Sequence, residues 1–185
     1  MKFLTLNTHS WMEKEAEEKF QLLLQDILDK DYDLICFQEI NQEITSPEVD
    51  VTDLYQALPA AEPIHQDHYV RLLVEKLAEK GRSYYWTWAY NHIGYDRYHE
   101  GVAILSKTPI QAREILVSDV DDPTDYHTRR VALAETEVEG KELALASVHL
   151  SWWDKGFQEE WERFEAVLKD LNKPLILAGD FNNPA

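Results

Sequence analysis

Four short apolar runs in this chain each end on a polar residue: "FLTL" before Asn7, "LICFQ" before Glu39, "LALASV" before His149, and "LILAG" before Asp180 and Asn182. Apolar runs of roughly four to eight residues bounded by turn signals read as strands buried on both faces. Such strands need covering layers, and polar groups at their ends collect along one edge of a sheet, where function tends to sit.

The other elements follow from period. Residues 13–29 carry Ala16, Phe20, Leu23, Leu24, Ile27 and Leu28 on one helical face. Residues 41–66 hold three prolines with little periodicity and are expected to be mostly loop. A second helix should start at Asp67 as cap, present Val70, Leu73, Val74 and Leu77, and end at Gly81. After it the period becomes two: Tyr84, Trp86, Trp88 and Tyr90 alternate against Tyr85, Thr87 and Ala89. "GVAILS", "EILVSDV", "RRVALAETEV" and "ELALASVHLS" read as further strands, the last two joined by the tight turn "EGK". A third helix over 158–171 faces inward with Trp161, Phe164, Leu168 and Leu171, and "LILAGDFN" is the final strand. With no repeats and no second composition regime, residues 1–185 read as a single α/β domain, sheet packed on sheet with helices outside.

Composition narrows the partners. There are 18 Lys+Arg against 35 Asp+Glu, a formal net charge of -17. A chain that grips a long phosphate backbone normally shows a basic face, so the balance argues against extended nucleic acid, although a local basic cleft or a bound metal can override the mean field. No leader with an apolar segment and no stretch long enough to span a membrane is expected. Cys36, the single cysteine, lies in "LICF" and can form no internal disulfide, which fits a soluble cytoplasmic protein.

Glu100 precedes its strand rather than following it; if that strand runs antiparallel to its neighbours, Glu100 reaches the same edge as Asn7, Glu39, His149, Asp180 and Asn182. Three carboxylates, two amides and an imidazole suit a hard divalent cation such as Mg²⁺, which takes one or two protein carboxylates and keeps several waters. Zinc is disfavoured by the lack of a His/Cys cluster at ligand spacing. Singly, each residue has a plain structural alternative as a cap, a turn residue or a satisfied histidine.

Five segments in order, "LTLNTH", "ICFQEI", "HEGVAILSK", "ASVHL" and "LAGDFN", resemble the endonuclease/exonuclease/phosphatase (DNase I-like) family. The resemblance implies a four-layer α/β sandwich and hydrolysis of a phosphate ester without a covalent intermediate. It implies Glu39 as the principal metal carboxylate with Asn7 beside it, Mg²⁺ as cofactor and Mn²⁺ as an alternative. It further implies that His149 stabilises the phosphoryl charge or protonates a leaving oxygen, that Glu100 orients His149, that Asp180 positions or activates water and that Asn182 holds the phosphate. The family pattern continues to a closing Asp-His pair that this sequence does not contain, since His9, His65, His68, His92, His99 and His127 all come too early. The expectation is therefore a chain whose C-terminal part is missing, with a degenerate, non-catalytic binding protein as the alternative.

"LTLNTHSW", "RYHEGVAILSK" and "LAGDFNNPA" are also similar to the bacterial branch that includes maltose 6′-phosphate phosphatases. With the acidic balance, this points to a small phosphomonoester such as a sugar phosphate as substrate, with a nuclease or phosphodiesterase as the alternative. Trp152 and Trp153, closely following His149, are expected as a platform for a sugar ring, whereas Trp86 and Trp88 read as core. Arg130, beside Arg129, is expected to grip phosphate, against a surface ion pair as the plain alternative.

Overall fold

The computed structural model describes residues 1–183. Its strands are β1 (Phe3–Asn7), β2 (Leu34–Glu43), β3 (Tyr55–Gln56), β4 (Tyr85–Gly94), β5 (Tyr98–Ser106), β6 (Gln111–Leu116), β7 (Arg130–Val138), β8 (Lys141–His149) and β9 (Leu175–Asp180). The helices are α1 (Ala16–Lys30), α2 (Tyr69–Glu79) and α3 (Phe157–Leu168). One sheet has the order β1-β2-β5-β4-β3 and the other β6-β7-β8-β9. The parallel pairs β1/β2, β3/β4 and β8/β9 are each joined through a helix, as a parallel connection requires.

Three apolar layers hold this together. Phe20, Leu24 and Ile27 of α1 and Leu73 and Leu77 of α2 pack on Phe37, Trp86 and Trp88 of the first sheet. Cys36, Ala89, Ile104, Ala134, Leu145 and Ala178 fill the space between the sheets. Phe164 of α3 lies on Val131, Leu133, Ala146 and Val148 of the second sheet. The result is the expected four-layer α/β sandwich, helices outside and sheets face to face. Period-2 alternation in β4 sends Trp86, Trp88 and Tyr90 to the helix side, where Tyr84 just before the strand joins them, and Ala89 to the sheet side.

Boundaries depart from the sequence reading where local chemistry intervenes. The first helix starts at Ala16 because Glu15 adopts a left-handed conformation. The second is capped by His68, whose Nδ1 accepts from the Arg71 amide; the Asp67 carboxylate instead accepts from the Glu43 amide. The expected loop over 41–66 is shortened at its start, since β2 runs to Glu43, and its Tyr55–Gln56 pairs with Trp86–Thr87.

Candidate active site

β5 runs antiparallel to both β2 and β4, so Glu100 does arrive at the edge where β1 and β2 end. The β2/β5 register shifts between Phe37 and Ile40, and in that bulge Glu39 takes φ 55. A bulge bends its strand and re-aims a side chain, here out of the ladder and into a cleft. Asn7, the last residue of β1, donates through Nδ2 to Glu39 Oε1 at 2.8 Å and to Asp180 Oδ2 at 3.0 Å. Its amide thus bridges a carboxylate from each sheet. His9 Nδ1 meets the other Glu39 oxygen at 2.5 Å, and Ser10 Oγ donates to the Glu39 carbonyl at 2.7 Å.

The second sheet supplies the opposite wall. His149 ends β8 with Nε2 3.8 Å from Glu39 Oε1. Asp180 ends β9 directly across from it in register. Asn182, at φ 51, donates its backbone N–H to Asp180 Oδ1 at 2.8 Å and its side-chain Nδ2 to the Leu150 carbonyl at 2.8 Å. The strand ends and the turn after β9 therefore hold each other. His9, Glu39, Glu100, Arg129, His149 and Asn182 line one cleft, and Asn7 and Asp180 line the groove beside it.

Electrostatics sort these groups. Burial opposes ionisation of Glu39, but the hydrogen bonds from Asn7 and His9 outweigh it and keep its carboxyl below the usual range. Burial, reinforced by Glu39, raises Glu100 to about 7. Burial, reinforced by Arg129, lowers His149 to about 4 and His92 to about 4, so both imidazoles are neutral at pH 7. Arg129 is itself pushed below the usual guanidinium value by burial, against the pull of Glu160, Glu100, Glu39 and Asp180. Its Nε and Nη1 are buried without any hydrogen-bond partner.

Three sequence expectations are corrected. Arg130 does not face the cleft: it is 8% exposed, its Nη1 donates to the Tyr90 carbonyl at 3.1 Å, and its Nη2 pairs with Asp121. Successive side chains on extended backbone point to opposite faces, so Arg129 takes the cleft side and Arg130 a structural one. Trp153 packs on Phe157 and lines a neighbouring groove, leaving Trp152 alone of the two in the cleft. Glu100 stands 3.5 Å from His92, while the carboxylate nearest His149 is Glu39. Sequence reasoning missed His9, His92 and the preference for Arg129. His9 alone carried a signal, lying two residues beyond Asn7 in "LTLNTH".

Among the described residues no three His, Cys, Asp or Glu side chains converge as a ready-made metal cage. Glu39, with the Asn7 amide against it at 2.8 Å, fits a cation that takes one or two protein carboxylates and fills its remaining positions with water and phosphate oxygen.

Residues 13–185 match the Endonuclease/Exonuclease/phosphatase family, and the chain belongs to that family. It is similar to an endonuclease/exonuclease/phosphatase family protein from Leptotrichia buccalis C-1013-b, with 27% identity and TM-score 0.82 over 98% of this chain and 66% of that one. It also superposes on the mannosyl-6-phosphatase of Bacteroides thetaiotaomicron VPI-5482, with 16% identity, TM-score 0.61, 97% of this chain and 64% of that one. D. rerio TDP2 complexed with a single-strand DNA product is matched at 17% identity and TM-score 0.58, over 99% and 60%. The chain thus spans less than two thirds of the length of these structures. No curated protein gives a significant sequence match. Members of the family are in general hydrolases of phosphoesters. Among the described residues no helix is long and apolar enough to cross a membrane.

Proposed function

We propose that this site is that of a divalent-metal-dependent phosphoesterase acting on a small phosphomonoester such as a sugar phosphate. The observation that carries the reading is Arg129. A buried guanidinium with two unpartnered nitrogens is costly unless an anion completes it. The cleft that it lines also holds Glu39, His149 and Asn182. A phosphate is the anion whose planar-fork recognition suits arginine. The net charge of -17 favours one compact phosphate held by Arg129 over a long polyanion held across the surface.

In this reading Glu39 and Asn7 hold Mg²⁺, or Mn²⁺, which when bound supplies charge neutralisation and Lewis acidity at the phosphate. Arg129 binds non-bridging oxygens. His149, neutral because it is buried, offers a hydrogen bond to the phosphoryl group or the departing oxygen without adding charge of its own. Asp180, fixed by Asn7 and by the Asn182 amide, orients the incoming water. The test is release of inorganic phosphate from glucose 6-phosphate with Mg²⁺ and with EDTA, run beside plasmid nicking. Metal-dependent phosphate release that Glu39→Ala abolishes is expected, with intact plasmid. Nicking without phosphate release would favour the nuclease alternative, and no hydrolysis of either would favour a binding protein.

A further inference from the structure

The chain has six Trp, nine Tyr and six Phe. Among the described residues, the only exposed ones are Tyr95 at 74%, Tyr126 at 60%, Trp152 at 58% and Trp153 at 66%. Three of these four, Tyr95, Tyr126 and Trp152, line the same cleft as Arg129 and His149. Exposed aromatics gathered beside a polar site mark a recognition surface, because their rigid rings offer large contact area at small entropic cost. Each is also held. The Tyr126 ring lies 3.9 Å from that of His127, whose Nδ1 meets Asp125 Oδ1 at 2.8 Å. Trp152 follows Ser151, which is clamped by Glu160 through both its N–H (2.8 Å) and its hydroxyl (2.7 Å).

Resting on the phosphoesterase reading, we infer that Tyr95, Tyr126 and Trp152 form a subsite that stacks the ring of a sugar whose phosphate lies on Arg129. The rim also carries Asp96 and Thr124, acceptors for sugar hydroxyls, and the Asp96 carboxylate repels any second phosphate. Isothermal titration with Mg²⁺ in a His149→Ala background, which limits turnover, tests it with glucose 6-phosphate and the acyclic glycerol 3-phosphate. The sugar ester should bind about tenfold tighter, and Trp152→Ala should bring the ratio to within about twofold while leaving glycerol 3-phosphate unchanged. Trp152→Phe should keep part of the preference, and Trp153→Ala all of it. Equal affinities in the parent protein, equal weakening of both ligands by Trp152→Ala, or binding of neither would overturn the subsite. Ring-selective binding in a protein that releases no phosphate would instead sink the phosphoesterase reading and leave the subsite standing.

Discussion

Arg129 and Arg130 are neighbours with opposite consequences. Removing Arg129 takes away a buried charge that has no hydrogen-bond partner at Nε or Nη1, so Arg129→Ala should leave thermal stability unchanged or slightly higher. It should weaken binding of inorganic phosphate by roughly 10- to 100-fold, as the loss of a charged hydrogen-bonding group does, and Arg129→Lys should not restore it. Arg130→Ala should do the reverse, costing about 1–3 kcal/mol in urea unfolding by stranding the Tyr90 carbonyl, with phosphate affinity kept. His68 makes a separate residue-scale prediction. Burial pushes it down to about 3 from 6.5; its Nδ1 is occupied by the Arg71 amide and its Nε2 has no partner. The unfolded chain therefore binds the proton first, and stability present above pH 6.5 is lost as the pH falls towards 3. His68→Asn keeps a capping side chain and removes the titration. Between pH 7 and pH 5 the wild type should lose about 2 kcal/mol more than the variant, and parallel urea titrations at the two pH values would check it.

At the level of elements, much was legible. The "EGK" turn reads from its glycine, and the structure joins β7 to β8 through Glu139 and Gly140, both at positive φ. The strands and their polar ends follow from short apolar runs, and the aromatic face of β4 from its alternation. What was hidden depended on register. Nothing in "ICFQEI" announces that Glu39 sits in a bulge, and nothing in "TRRV" tells which arginine turns inward, because both are settled by where the partner strand begins to pair. Gly179 is where register and site meet. It lies at φ 146 immediately before Asp180, and a Cβ there would come within 2.0 Å of the Val148 carbonyl oxygen. Gly179→Ala should cost roughly 2–4 kcal/mol through strain and crowding, and in whatever fraction folds it should displace Asp180 and lower activity. Gly140→Ala, at φ 76 with nothing within 4 Å, should cost only about 1 kcal/mol. Equal losses in thermal unfolding would contradict the crowding argument.

The site exists only because two sheets are held in fixed alignment. The first contributes Asn7, Glu39, His92 and Glu100, and the second His149 and Asp180. The layer between the sheets is mostly apolar, and apolar contact is non-directional, so it resists separation better than sliding. Direction comes from a buried polar tie one step back from the cleft. Gln38 Nε2 donates to Ser147 Oγ at 3.1 Å, and Ser147 Oγ donates to the Phe37 carbonyl at 3.1 Å. Gln38 adjoins Glu39 on β2, and Ser147 lies two residues before His149 on β8, so this tie sets the distance between a carboxylate and an imidazole on different sheets. Ser147→Ala leaves a buried amide and a buried carbonyl without this partner, which should cost about 1–3 kcal/mol. The same change loosens the register of Glu39 against His149, and misplacement of reacting groups by about 1 Å can lower turnover by roughly 100-fold. The expected signature is a variant that remains folded at 25 °C with its phosphate affinity near normal, since Arg129 is untouched, while kcat falls by more than tenfold. A kcat that stayed at the wild-type value in a destabilised but folded Ser147→Ala protein would show that sheet alignment is set by the apolar layer alone.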